Sequence, residues 1–368
     1  MLNSNIYDLK LTKSQRIIGL VTIATFFIKY AARFYPEVVE NLHTNGLYDG
    51  IRFFFTHLTG WIPFPLIYPL ILALIIVVIR RYLIWKKLPS KKNRLVRFLY
   101  GLMTLVAVIY VSFTWLWGFN YEKIKFENRF ELTRVQPLDS LLFRDLRNLS
   151  DRLSFLRMSI SQEDSLTFGH LPQHLSREVR ASLDTFLMDL GMEMKGKLHA
   201  KKLYPKGVLL HISTAGVFLP FSGEGHIDGG LHPLQIPFVM AHEMFHAQGF
   251  TDEGVCNFLA FISLSRSTEP ILKYTGLLGY YRYLASQCRI LDKEKFSEYF
   301  NSIDKVIKKD LHHIDQNNSM YPDILPKLRD FAYDRYLKTQ GIKEGLKSYN
   351  RLVQLKYSWE NRYGLITY

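Results

Sequence analysis

PFVMAHEMFHAQGFTDEGVCNFLAF, residues 237–261, is the stretch on which the rest of the chain can be organised. Pro237 suits the first turn of a helix, Val239, Met240 and Phe245 give that helix an apolar face, and Gly249 suits its C-terminal cap. The helix carries His242-Glu243-x-x-His246. Four residues of separation bring both imidazoles to one face, one turn apart, where they can share a tetrahedral ion. Glu243, one step round, can reach the open fourth position without binding the metal itself. A water held there is acidic near pH 7, and Glu243 is the base to take its proton.

A zinc site needs a third protein ligand, and Thr251 can cap a second helix running from Asp252 through Phe258. On it Glu253 and Asn257, four apart, share a face, as a ligand and the group that holds it in place would. Asp252 is the rival, at the offset where metalloproteases of the HExxHxxGxxH pattern place a third histidine. Glu224, His226 and His232 are further candidates just upstream, in a glycine-rich stretch that also has structural reasons to carry them. The ordinary alternative is two histidines satisfied on an amphipathic helix. Against it stands the combination of HExxH, a glycine turn and acids opening a second helix.

Around this motif, residues 121–368 read as one mainly helical soluble domain. Leu141, Leu142, Leu146, Leu149, Leu153 and Leu156 mark an amphipathic helix over 139–157, and Ser176–Leu190 marks another, with Ser176 as cap and Gly191 as stop. The β-branched and aromatic run 207–221 predicts one or two strands, Ser222–Gly230 a glycine-rich loop, and the chain after Asn257 is helical almost to its end. The two cysteines, Cys256 and Cys288, exclude a disulfide scaffold. Tyr280, Tyr281, Arg282, Tyr283 and Tyr349 are possible donors to an oxyanion, but 22 tyrosines make any one choice arbitrary.

Upstream the chain changes character. Three apolar stretches, about 17–34, 62–79 and 98–119, approach or reach the roughly 20 residues that cross a bilayer. They set off residues 1–120 as a membrane domain. Lys10, Lys13 and Arg16 before the first also suit a signal peptide, but no small-x-small cleavage site precedes Tyr35-Pro36. Lys and Arg number 47 against 33 Asp and Glu, a formal charge of +14. The excess does not collect on a soluble face, which argues against nucleic acid. It gathers between the second and third stretches as Arg80, Arg81, Lys86, Lys87, Lys91, Lys92, Arg94 and Arg97. Positive-inside bias then predicts an integral protein of the bacterial cytoplasmic membrane, with a cytoplasmic N-terminus, an extracytoplasmic domain after residue 120, and the lipid bilayer as partner.

These features together, with Trp61-Ile-Pro-Phe-Pro65, Trp117-Gly-Phe-Asn-Tyr121, PFSGEG (220–225) and GIKEGLKSYNRLVQL (341–355), resemble an uncharacterised bacterial family. It is a domain-of-unknown-function family regarded as membrane-anchored zincins, and the similarity covers nearly the whole chain. The resemblance implies zinc at His242 and His246 and a glutamate of the second helix, here Glu253. The chain departs from it at Val255, where many members carry a second acid. The expected fold is mainly α, three transmembrane helices followed by a soluble α+β zincin-like metallopeptidase domain. The expected function is zinc-dependent hydrolysis of peptide bonds outside the cytoplasm, substrate unknown. The alternative is a catalytically inactive, metal-stabilised binding or scaffold module. A third reading is an intramembrane protease, and the polarity of 231–249 argues against it.

Overall fold

The structure, a computed structural model, describes residues 11–86, 91–194, 196–340 and 351–366. Lys10 and Lys87 among the flanking basic residues, Tyr349, and residues 341–350 of the family-like C-terminal stretch lie outside the described residues. The chain is mainly helical and divides into two compact units.

The first unit is built on residues up to Ile51, on Phe64–Ile124 and on Pro220–Ser222. It opens with α1 (Lys13–Ala32), whose cap Thr12 and third residue Gln15 form a reciprocal capping box. The short α2 (Pro36–Val38) passes into a π-helical segment, Val39–Tyr48, which leads to α3 (Asp49–Thr59), whose residues from Arg52 onward belong to the second unit. Two long helices follow, α4 (Ile67–Lys86) and α5 (Lys91–Leu116). α1, α4 and Asn93–Leu116 of α5 are long and apolar enough to cross a membrane. The second begins at Ile67 and not at residue 62, because Pro63 and Pro65 lack an amide donor and disfavour helix in the residues before them. It then carries the helix through Arg80 and Arg81 to Lys86. α1 packs on α5, with Gln15 Nε2 donating to Thr104 Oγ1 (3.3 Å) and Trp115 Nε1 to Thr25 Oγ1 (3.1 Å).

The second unit comprises Arg52–Pro63, Lys125–Leu219 and the chain from Gly223 onward. After α6 (Phe126–Arg129) come α7 (Asp139–Ile160) and α8 (Leu175–Asp189), whose leucines fall on the predicted buried faces. α8 is capped by His174, not Ser176, and ends where Gly191 takes a φ of +68°. A three-stranded sheet follows in the order β1 (Ala200–Leu203), β3 (Glu224–Asp228), β2 (Gly216–Leu219), β1 parallel and β2 antiparallel to β3. Then come α9 (Ile236–Ala247), α10 (Glu253–Ser265), α11 (Pro270–Leu291), α12 (Lys293–Ser302), α13 (Lys305–Ser319), α14 (Pro326–Thr339) and α15 (Arg351–Tyr363).

The sheet corrects the sequence reading. The stretch expected to be a glycine-rich loop contains the central strand, buried at all five residues. Part of the run expected to be strand forms instead a single 3-10 turn, Leu210–Ile212. β3 looked like loop because Glu224, His226 and Asp228 are polar, yet the fold satisfies two of these carboxylates internally. Glu224 pairs with Lys201, and Asp228 accepts from the backbone amides of Gly207, Leu209, Leu210 and Gly230 at 2.7–3.2 Å. The helical core contains a fully buried ion pair, Arg157 Nε to Asp310 Oδ2 at 2.8 Å, to which Tyr274 also donates (2.6 Å). That network is structural: losing one partner of a buried pair costs about 3–5 kcal/mol.

Candidate metal centre

α9 runs through the second unit's interior, with Pro237 in its first turn and its side chains buried almost throughout. Gly249, at φ +97°, closes it: its amide bonds to the His246 carbonyl (2.9 Å), and the Phe250 amide to the Phe245 carbonyl (3.1 Å). An L side chain is strained at that φ, so the glycine is what lets the chain reverse tightly. α10 therefore starts only a few residues later. Asp252 is its cap, accepting from the Val255 amide at 2.9 Å, so Thr251 lies one residue outside the helix and Glu253 occupies its first position.

This turn brings three buried acceptors to one point. His242 Nε2 is 3.0 Å and His246 Nε2 3.2 Å from Glu253 Oε2, and the two imidazole nitrogens are 3.0 Å apart. Among the described residues this is the group of His, Cys, Asp and Glu side chains that converges tightly enough to hold a metal ion. Atoms bound about 2.0–2.1 Å from a tetrahedral ion lie about 3.3 Å from one another, so the spacing fits. The donor chemistry fits too. His246 Nδ1 lies 2.8 Å from the Phe250 carbonyl, which can only accept. That nitrogen therefore carries a proton, and Nε2 is the ring atom directed at the cluster.

Asp252 takes no part. One of its oxygens is the helix cap, and the other meets Arg351 Nη1 at 2.6 Å. Asn257 is buried one turn along α10 from Glu253, its Nδ2 without a hydrogen-bond partner among the described residues, but the second oxygen of Glu253 is held by Tyr333 of α14, whose hydroxyl donates to Oε1 at 2.7 Å. Tyr333 was not singled out in the sequence, where nothing in the spacing ties α14 to α10. Tyr280 and Tyr281 bond instead to Asp145 (2.7 Å) and Tyr299 (3.1 Å). Glu224 and His226 stay with the sheet, and His232 lies beside His313, outside the cluster. Cys256 Sγ approaches His246 Nδ1 at 3.4 Å, and burial pushes its thiol up to about 11, so it stays protonated; Cys288 is also a free thiol.

Glu243 lies next to the cluster, not in it. Two strands make room for it through missing side chains: a Cβ on Gly216 would stand 2.6 Å from Glu243 Oε1, and one on Gly225 would stand 3.0 Å from Glu243 Cβ. Its Oε2 is buried with no hydrogen-bond partner among the described residues. Burial pushes this carboxyl up to about 7, against the opposing pull of His242 and His246. Burial also disfavours the charge on Glu253, but there the two histidines prevail and hold the carboxyl well below the usual range. Two glutamates ten residues apart thus have opposite characters, one a fixed anion and one poised to exchange a proton.

No curated protein and no solved structure matches the chain. Residues 43–357 match the family described as "Protein of unknown function (DUF3810)", and the chain belongs to that family.

Proposed function

We propose that this protein is a membrane-anchored, zinc-dependent peptidase whose catalytic unit lies outside the cytoplasm. The observation that carries the reading is the convergence of His242, His246 and Glu253 with a buried, unpartnered carboxylate oxygen of Glu243 beside them. A dication bound by these three groups would supply Lewis acidity and acidify a water in its open position. His242, His246 and Glu253 would hold it, with the Phe250 carbonyl fixing one imidazole and Tyr333 fixing the carboxylate. Glu243 would take a proton from the attacking water and return it to the leaving amine. A carboxyl poised near 7 is well matched to both transfers at neutral pH.

A peptide suits the surroundings. β2 is an outer strand of the sheet and starts at Gly216, against Glu243. A substrate chain lying extended beside Gly216 and Val217 would bring its backbone to the carboxylate, using the ordinary hydrogen-bonding habit of strands. The basic run 80–97 supports the proposed orientation through the positive-inside bias.

The test is Glu243→Gln, which keeps size and some hydrogen bonding but removes the base. Metal content and folding should survive, while turnover falls by about 10²–10⁴. Membrane proteomes from cells carrying either form should differ in cleavage products, and the fragments should come from exported proteins or exported loops. Loss of metal in Glu243→Gln would make the residue structural. Retained metal with full rescue of a deletion strain would make the protein a metal-stabilised binding module.

A further inference from the structure

A second polar feature of the catalytic unit has no part in that chemistry. A cleft of about 890 Å³, the size of a small-molecule site, lies along β1 and the start of α8. Among the described residues its lining holds two arginines, three lysines and three histidines, and no aspartate or glutamate. Two of these cations are answered locally, Arg177 by Glu178 (3.0 Å) and Lys201 by Glu224. Arg180, Lys197 and Lys202 are in no ion pair among the described residues. Arg180 donates to the Leu198 carbonyl at 3.1 Å, and Lys202 lies over the Phe168 ring at 4.6 Å.

The backbone adds to the same field. The first turn of α8, a helix of 15 residues, lines the cleft, and its cap His174 makes no side-chain capping bond. The Ser176 hydroxyl in that turn is enclosed, with no hydrogen-bond partner among the described residues. A helix start without a side-chain cap and three cations outside any ion pair among the described residues together fit an oxyanion such as a phosphate. Burial lowers Lys202 below the usual lysine value, with Lys206 adding to the effect, which is the strain that a bound anion relieves.

The remaining wall says which anion. It is formed by Thr56, His57, Gly60 and Trp61, the last three-quarters exposed. Only five residues of chain separate Trp61 from Ile67, where α4, long and apolar enough for a membrane, begins. Phe53, Phe54 and Leu58 of α3 are also exposed. Exposed aromatic and aliphatic residues leading into a span are typical of the lipid–water boundary. We propose that the cleft binds the phosphate head group of an anionic phospholipid, with Trp61 and the exposed face of α3 against its acyl region.

The experiment uses the full chain in a non-ionic detergent, titrated with short-chain phosphatidylglycerol, short-chain phosphatidylcholine or inorganic phosphate. Phosphatidylglycerol should bind, and the triple variant Arg180→Gln/Lys197→Gln/Lys202→Gln should weaken it by about 10-fold or more. Trp61→Ala should weaken phosphatidylglycerol but leave phosphate unaffected. Equal binding of phosphatidylcholine, or an unaltered triple variant, would overturn the proposal. Inorganic phosphate binding as tightly as phosphatidylglycerol would overturn the lipid as its source. Should the triple variant fail to fold, Lys202→Gln alone must still weaken phosphatidylglycerol measurably, about 3-fold, or the proposal fails.

Discussion

The His-His-Glu cluster and the basic cleft are polar sites of one compact unit with opposite electrostatic logic. In the cluster, two imidazole nitrogens and a carboxylate oxygen converge on a common point, a group that could hold a cation. In the cleft, cations gather with no acid in the lining, and the arrangement is completed by an anion. The cluster is buried and its atoms are fixed by direction. The cleft is open, its lysines range from exposed Lys197 to half-buried Lys202, and charge density matters there more than angle. A buried site of this kind fails when a single atom is removed; an open one degrades by degrees.

The largest expected effect follows from that contrast. His246→Ala removes one of three ligands and abolishes the turn-fixing bond to Phe250, so the purified protein, which should retain about one equivalent of zinc, should lose most of it. Glu253→Ala should behave alike. Elemental analysis after dialysis reads both. Zinc retained in His246→Ala would break the comparison, because the cluster would then tolerate the loss of a ligand atom as the cleft tolerates the loss of a lysine.

The two sites also differ in how far the sequence discloses them. His242, Glu243 and His246 lie within one helix, so their common face follows from a 3.6-residue period, and Gly249 announces the reversal that delivers Glu253. Only local geometry is needed. Tyr333 reaches Glu253 across 80 residues of chain, and no periodicity encodes that contact. The cleft is assembled from 56–61, 168–180, 197–202 and Met240, each unremarkable alone, and its β1 wall, AKKL, has no alternation to mark a strand. The central strand escaped for a related reason. Its polar residues signal a loop until their buried partners are known. The three apolar helices were legible because length and hydropathy suffice for them, and only their ends shifted, at Pro63 and Pro65 for α4.

Tyr333→Phe sharpens the comparison by removing one oxygen at the edge of the cluster. It leaves the three ligands in place and frees Glu253 Oε1 from its donor. Loss of a group that orients a ligand costs roughly 10–100-fold in metal affinity. Competition with a chelator of known strength should show a loss in that range with folding unchanged. No change would mean that Glu253 is held well enough by its helix position alone.

Salt separates the sites on a smaller scale. Raising ionic strength from 0.05 to 0.5 M shortens the screening length from somewhat above 10 Å to about 4 Å. Phosphatidylglycerol binding in the open cleft should weaken several-fold. Zinc affinity in the buried cluster, measured in the same buffers, should stay nearly constant. If both fell together, the cluster would be far more accessible to solvent than its burial indicates.

The smallest effect concerns Asp252, the acid that the sequence offers as a rival to Glu253. Its oxygens cap α10 and pair with Arg351, so Asp252→Ala removes a cap and a partly exposed ion pair but no ligand. Losing a cap costs typically about 1 kcal/mol, and a partly exposed pair contributes less than that. For a unit of this size, 1 kcal/mol lowers the melting temperature by about 2–4 °C. Because Glu253 is the first residue of the helix that Asp252 caps, zinc affinity should slip slightly as that turn frays, while stoichiometry stays near one. Glu253→Ala should show the reverse, a loss of zinc that exceeds any loss of stability. The pair of variants therefore reads ligand against cap in a single measurement of metal content and melting. Loss of zinc in Asp252→Ala with retention in Glu253→Ala would exchange the two roles, and the tight turn after Gly249 would then have to present a different face of α10 to the histidines.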